Sequence, residues 1–188
     1  HEFISHYYPN VLEAMRTRWI SPVIITTNRV EESSYNELRA MGRKVIRELG
    51  LDTAPTHMEW FFGDKGLKFS EIGVRPPGVG QWDLYCSAND IDIYGEWASS
   101  VVHGSSGGVL SRQYSAAIIN LRPTQDGVIA GYEGVDTMQE KYGQWVTAAH
   151  FPAIGTPTQP VGAGYKANAW VQLKFPEYDD LRGILEDI

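Results

Sequence analysis

Apolar residues along this chain fall into two rhythms. Leu38, Met41, Val45, Ile46 and Leu49 recur at helical spacing, and Gly50 follows as a stop. Ahead of them, Ser34-Tyr35-Asn36-Glu37 fits a capping box, in which serine and glutamate each satisfy a free backbone N–H. The stripe predicts a core-facing helix. A second helix is predicted over 91–102, with Ile93, Tyr94, Trp97, Val101 and Val102 broadly on one side, and a third over 176–188, carried by Tyr178, Leu181, Ile184 and Leu185. Shorter helical stretches are expected around 11–19 and 136–142. The other rhythm is that of strands, predicted at 22–27, 114–121, 128–132, 145–150 and 167–173, with a hairpin at 57–74. Pro76-Pro77-Gly78-Val79-Gly80 reads as a loop, because neither a helix nor a central strand tolerates it.

Helices and strands do not alternate strictly, so the expected class is α+β, an antiparallel sheet with flanking helices. The Gly/Ser-rich stretch at 103–108 is the expected boundary between residues 1–104 and a β-rich subdomain over 105–188. No internal repeat or low-complexity tract occurs.

Composition narrows the function classes. The 188 residues are 43% apolar and 21% charged, an ordinary globular balance, with a formal net charge of −7. Such a charge, with no basic run longer than two residues, argues against nucleic acid and against an anionic membrane surface as partners. One cysteine, Cys86, excludes a disulfide framework and fits a cytoplasmic protein. No apolar run approaches the ~20 residues of a membrane-spanning helix. The chain opens on His1 without a signal-peptide pattern, which suggests a piece of a longer protein.

The chemistry concentrates in the hairpin, His57 to Gly78. A three-residue turn, Asp64-Lys65-Gly66, with the glycine left-handed, would pair Gly63 with Leu67, Phe61 with Phe69, Glu59 with Glu71 and His57 with Gly73. The opposite face would carry Met58, Trp60, Phe62, Ile72 and Val74 as a core surface. Two carboxylates facing each other across a sheet repel. Protonation of one relieves the repulsion, and so does a bound cation. Mg²⁺ takes carboxylate oxygens and keeps other positions for water and substrate phosphates. Arg75, four residues beyond Glu71, suits anionic oxygens at such a site. The plainer alternatives are an exposed pair held apart by rotamers, or a Glu71–Arg75 ion pair.

His57-x-Glu59, eleven intervening residues, then Glu71-Ile-Gly-x-Arg75-x-x-Gly78, resembles the metal-binding hairpin of the ATP-grasp superfamily. Leu49-Gly50-Leu51 before it and the 90–97 segment after it look similar too. The 113–123 stretch, continuing past Val128 and Gly134, looks like the β-rich end of the carboxylate–amine ligases. The resemblance covers most of the chain and implies the C-terminal half of an ATP-grasp fold, with the N-terminal half of the same protein as its missing partner. It also implies an enzyme that uses ATP and Mg²⁺ (or Mn²⁺) to turn a small carboxylate into an acyl phosphate for attack by an amine. Glu59 and Glu71 would be metal ligands and Arg75 the catalytic contact to phosphate. Gly78, Gly80 and His57 would adjoin the nucleotide or substrate. Isolated, such a half would be inactive, because no adenine- or phosphate-holding elements precede it. A homo-oligomer is compatible with this reading.

Where many members carry a metal-binding asparagine, this chain has Gly73, and His57 opposite could fill that gap. Biotin carboxylase is the alternative relative. Its members place an arginine where this chain has Ile119, although Arg122 lies close by, and follow the hairpin arginine with a polar run where this chain has Pro76-Pro77-Gly78-Val79. A non-catalytic ATP-grasp-like binding domain is a further alternative.

Overall fold

The computed structural model describes residues 1–163, 165 and 167–188. The class is α+β, as expected. Five antiparallel strands form the main sheet in the order β1 (Ser5–Tyr8), β2 (Val23–Thr26), β5 (Ser115–Leu121), β7 (Ala169–Phe175), β6 (Val146–His150). Between β2 and β5 in sequence come α2 (Asn36–Glu48), the hairpin β3 (His57–Gly63) and β4 (Gly66–Gly73), α3 (Gln81–Asn89) and α4 (Ile93–His103). α1 (Val11–Ala14) follows β1, α5 (Val135–Tyr142) precedes β6, and α6 (Tyr178–Asp187) ends the order. Strands from both sides of the 103–108 stretch share the one sheet. Among the described residues no helix is long and apolar enough to cross a membrane.

The sheet is covered on both faces, so β2 and β5 carry apolar residues on both sides without strict alternation. Ile25, Ala117, Ile119, Val171 and Leu173 pack with Met138 of α5 and Tyr178, Leu181 and Leu185 of α6. Their neighbours Ile24, Ala116 and Ile118 point the other way, onto Leu84 and Ala88 of α3. α3 was not legible as a helix: polar Gln81 and Asn89 lie among its buried residues Trp82, Leu84, Tyr85 and Ala88, while Cys86 shares the more exposed side with Asp83 and Ser87, which blurs the one-sided apolar stripe.

Several other expectations are corrected. The helix around 11–19 is a single turn, capped by the Asn10 side chain accepting from the Glu13 N–H, and Trp19 is exposed. The capping box does not form. Residues Ser33–Tyr35 make a 3₁₀ turn that runs straight into α2, so Ser34 lies inside a helical turn rather than at its mouth. Gly50 does end α2, at φ +63°. The 128–132 segment is a loop between glycines that meets Pro157 in one isolated bridge. β1 was missed because Ser-His-Tyr-Tyr shows no alternation.

α2 and the hairpin stand apart from the sheet's core. None of α2 is fully buried, although its stripe is real, and Met58 of β3 lies against Gly42 of α2. The expected core surface of the hairpin is also corrected, because Phe62 is 83% and Val74 54% exposed. A lone hairpin on one helix is too thin to enclose these side chains.

At the β1 end of the sheet, His6 joins three elements. Its Nδ1 lies 2.6 Å from the Tyr178 hydroxyl and its Nε2 3.3 Å from that of Tyr35, while Tyr8 and Tyr178 are 3.0 Å apart. Burial, then the nearby Arg182, hold the imidazole below its ordinary pKa of 6.5. The folded state therefore prefers neutral His6. Its contribution is complete above pH ~6.5 and is lost as the pH falls through the lower folded value. Thermal unfolding of the 188-residue chain should show Tm dropping between about pH 7 and 5, with a shallower slope in His6→Gln. An unchanged slope would assign the loss to other groups.

Candidate functional site: a carboxylate pair on a bulged hairpin

Glu59 pairs with Glu71 and His57 with Gly73, as the spacing predicts. The route to that register differs. The turn is tighter, closing Gly63 on Gly66, so Phe62 meets Leu67 and Trp60 meets Phe69. A shift between Glu59 and Trp60 then absorbs Ser70 as a bulge and restores the Glu59–Glu71 partnership. The expected Phe61–Phe69 and Gly63–Leu67 pairs are thereby corrected. The bulge turns Phe69 onto the apolar face, where its ring meets Trp60 edge-on with centroids 5.1 Å apart. Lys68 takes its place opposite Phe61, on the carboxylate face.

Directly paired residues share a face with Cβ atoms roughly 5 Å apart, so the two carboxylates are held together by backbone register. The His57 Nε2 lies 3.5 Å from Glu59 Oε1. Among the described residues no cation stands at ion-pair distance from Glu71. Arg75 does not take that part. Its guanidinium donates to the Pro76 carbonyl at 2.9 Å, and its stem folds over Gly73, where an added Cβ would meet Cγ at 3.3 Å and Nε at 3.4 Å. An asparagine at 73 would therefore have to displace the arginine.

No group of three or more His, Cys, Asp or Glu side chains gathers as a closed metal cage among the described residues. Two carboxylates facing each other on an open surface fit a hard cation that keeps most of its sphere for water and ligand oxygens. They do not fit a tetrahedral structural metal. Two cavities lie elsewhere: about 450 Å³ beside Asn28, Arg29 and Tyr178, and about 440 Å³ beside Val135 and Phe151. Neither of these cavities is lined by the hairpin carboxylates.

Beyond Arg75 the chain enters a strained loop. Val79 sits at φ +56° and Gly80 at φ +67°, and α3 starts immediately after. A β-branched residue in that region is a backbone outlier costing on the order of 1–3 kcal/mol. Glycine at 80 has a second reason, since a Cβ there would come within 3.0 Å of the Gln172 amide nitrogen. Gly78 accepts from the Gln81 N–H at 3.2 Å, closing the turn that leads into the helix.

Sequence reasoning missed two residues beside this loop. Tyr7, on β1, reaches the loop with its hydroxyl, which accepts from Gln81 Nε2 at 2.8 Å. Burial raises the Tyr7 pKa, the Gln81 hydrogen bond opposes this, and the charges of Glu59 (raising) and Arg75 (lowering) also act on the phenol. Loop and sheet therefore meet at Tyr7, and charges of the hairpin side act on its phenol. One signal was in the sequence: Gln81 is a polar residue opening an otherwise apolar helix.

Arg122 and Ile119 lie outside this meeting point. Arg122 Nη1 donates to the carbonyls of Ala14 and Thr17, the latter at 2.6 Å, and so ties β5 to the end of α1. Ile119 is sealed in the core on the α6 side of the sheet.

No family model matches the chain, and no curated protein does. Solved structures do. The L-amino acid ligase from Bacillus licheniformis matches with a TM-score of 0.71 at 14% identity, over 88% of this chain and 41% of that one. Phosphoribosylglycinamide synthetase from Anaerococcus prevotii matches with a TM-score of 0.57 at 13% identity, over 98% and 43%. N5-carboxyaminoimidazole ribonucleotide synthetase from Thermotoga maritima matches with 0.59 at 15%, over 89% and 45%. The chain spans less than half the length of each. These three are ATP-grasp ligases, and over that part of their length this chain has the ATP-grasp fold.

Proposed function

We propose that the chain is the C-terminal half of an ATP- and Mg²⁺-dependent ligase that joins a carboxylate to an amine. The observation that carries this reading is the Glu59–Glu71 pair, which a bulge brings into register with, among the described residues, no cation beside Glu71. Glu59 and Glu71 would hold the divalent ion, Mg²⁺ or Mn²⁺. When bound, that ion would supply charge neutralisation at the ATP phosphates. Arg75, which among the described residues pairs with no carboxylate, would swing from the Pro76 carbonyl onto a phosphoryl oxygen. The backbone around Gly78 and Gly80, at the mouth of α3, would lie close to the substrate, and His57 would orient Glu59.

The chemistry balances in two steps. A substrate carboxylate oxygen attacks the γ-phosphorus, and ADP departs. The amine nitrogen then attacks the acyl carbon, losing a proton as inorganic phosphate leaves. The chain's residues hold the phosphate and stabilise its charge in both steps. The open position of the carboxylates supports a site completed by a further part of the protein. The biotin carboxylase reading loses support from the two residues that could serve it, since Ile119 is core and Arg122 is engaged with α1.

The test is a thermal shift of the full-length protein with ATP, with and without Mg²⁺. A Mg²⁺-dependent rise in Tm is expected, and its absence would overturn the reading. The 188-residue chain alone should show no ATP hydrolysis above background. Turnover at an ordinary enzymatic rate would mean that the nucleotide site lies wholly within it.

A further inference from the structure

Tyr7 is held by a directional chain of hydrogen bonds. Ser5 donates to the Tyr85 hydroxyl at 3.4 Å, and Tyr85 donates to Gln81 Oε1 at 3.2 Å. The Gln81 oxygen is thus taken, which fixes the amide so that its nitrogen faces Tyr7 and donates at 2.8 Å. A phenol oxygen that accepts from this side must send its own proton elsewhere. Among the described residues that proton has no protein acceptor. The ring is packed in place: Tyr7 pairs with Ile24 in the sheet and meets Tyr165 edge-on, with centroids 5.1 Å apart. The hydroxyl emerges beside the first residue of α3, next to the loop of Gly78 and Gly80. Both the hairpin glutamate and Arg75 are near enough for their charges to act on it, and its raised pKa keeps it protonated at neutral pH.

We propose that Tyr7 is a ligand-contacting residue of this site, its hydroxyl donating a hydrogen bond to the terminal phosphoryl group held at the Glu59–Glu71–Arg75 face. The inference rests on the ligase reading. A phosphoryl oxygen is the acceptor because the hairpin pair, through its cation, and Arg75 both recruit phosphate, and the Tyr7 hydroxyl lies beside the loop that continues from Arg75 into α3.

The test uses the full-length protein, titrated by calorimetry with Mg·AMP-PNP and with Mg·ADP, which differ in the terminal phosphoryl group. Tyr7→Phe keeps the ring and removes the donor. Mg·AMP-PNP should bind about tenfold more weakly while Mg·ADP stays within about twofold, as expected for one hydrogen bond to a charged group. Unchanged affinity for both nucleotides would overturn the proposal. So would equal weakening of both, since Tyr7 would then act through the metal ligands or the fold. Gln81→Met leaves the Tyr7 hydroxyl in place but unoriented, and should give a smaller loss, again confined to Mg·AMP-PNP. A loss confined to Mg·ADP would also overturn it. The ligase reading fails separately: wild-type protein binding neither nucleotide in a Mg²⁺-dependent way would remove it whatever Tyr7→Phe does.

Discussion

If the proposed ligase reading holds, Glu71→Gln should lower kcat of the full-length protein by on the order of 10²-fold or more, without lowering the melting temperature of the metal-free protein. The substitution keeps shape and removes one charge. If Glu71 exists to hold a cation against phosphate, the loss falls on the step in which charge moves from the γ-phosphoryl group to ADP, and so on kcat. The amide is a weaker ligand for a hard ion than a carboxylate. Stability should move the other way. Glu71 stands opposite Glu59 and, among the described residues, beside no cation, while Arg75 is turned to the Pro76 carbonyl. Removing one of two facing like charges relieves repulsion in the apo protein. Its melting temperature should hold or rise slightly.

An exposed glutamate kept for structure predicts the reverse. A glutamine variant that melts lower yet turns over at the wild-type rate would sink the metal reading. Metal dependence adds a check, because the variant should need more Mg²⁺ for half-maximal activity. A variant slow at every Mg²⁺ concentration and equally stable would still mark Glu71 as a ligand of the reacting complex.

The Glu59–Glu71 partnership was legible in the sequence, but for a partly mistaken reason. A three-residue turn with ideal alternation predicts it, and so does the tighter turn with a bulge at Ser70, because the two deviations cancel between Gly66 and Glu71. They do not cancel nearer the tip, where Phe69 and Lys68 exchange faces. Bulges leave no strong mark in residue type, so the exchange could not be read from the sequence. α3 was lost for another reason: its buried side includes the polar Gln81 and Asn89, which weakens the periodic signal, and the glycine loop before it reads as a break. The meeting of Tyr7 with Gln81 joins residues 74 positions apart and needs the sheet and α3 to be placed first. β2 and β5 were readable as short apolar runs too brief for a typical helix, and β7 from the alternation of Val171, Leu173 and Phe175 with Gln172 and Lys174.

The same division between pattern and burial governs stability in the 188-residue chain. Leu181→Ala should be among its costliest substitutions, and Leu49→Ala among its mildest. Both leucines belong to helical apolar stripes of similar quality in the sequence. Leu181 of α6 is fully enclosed among Ile25, Ile119, Val171 and Leu173 of the sheet, where truncation leaves a cavity with close-packed walls. Such a change costs about 2–5 kcal/mol, from lost transfer energy and the unfilled volume. Taking 3 kcal/mol, Tm would fall by roughly 6–12 °C in a chain of this size. Leu49 closes α2 and is 55% exposed, so little of its apolar surface leaves water on folding. Its truncation should stay within about 0.5 kcal/mol. Equal losses at the two positions would mean that α2 packs into a core in this chain, against its exposure. A small Leu49→Ala effect in the 188-residue chain that grows in the full-length protein would instead show the half-covered face of α2 and the hairpin being buried by the rest of the protein.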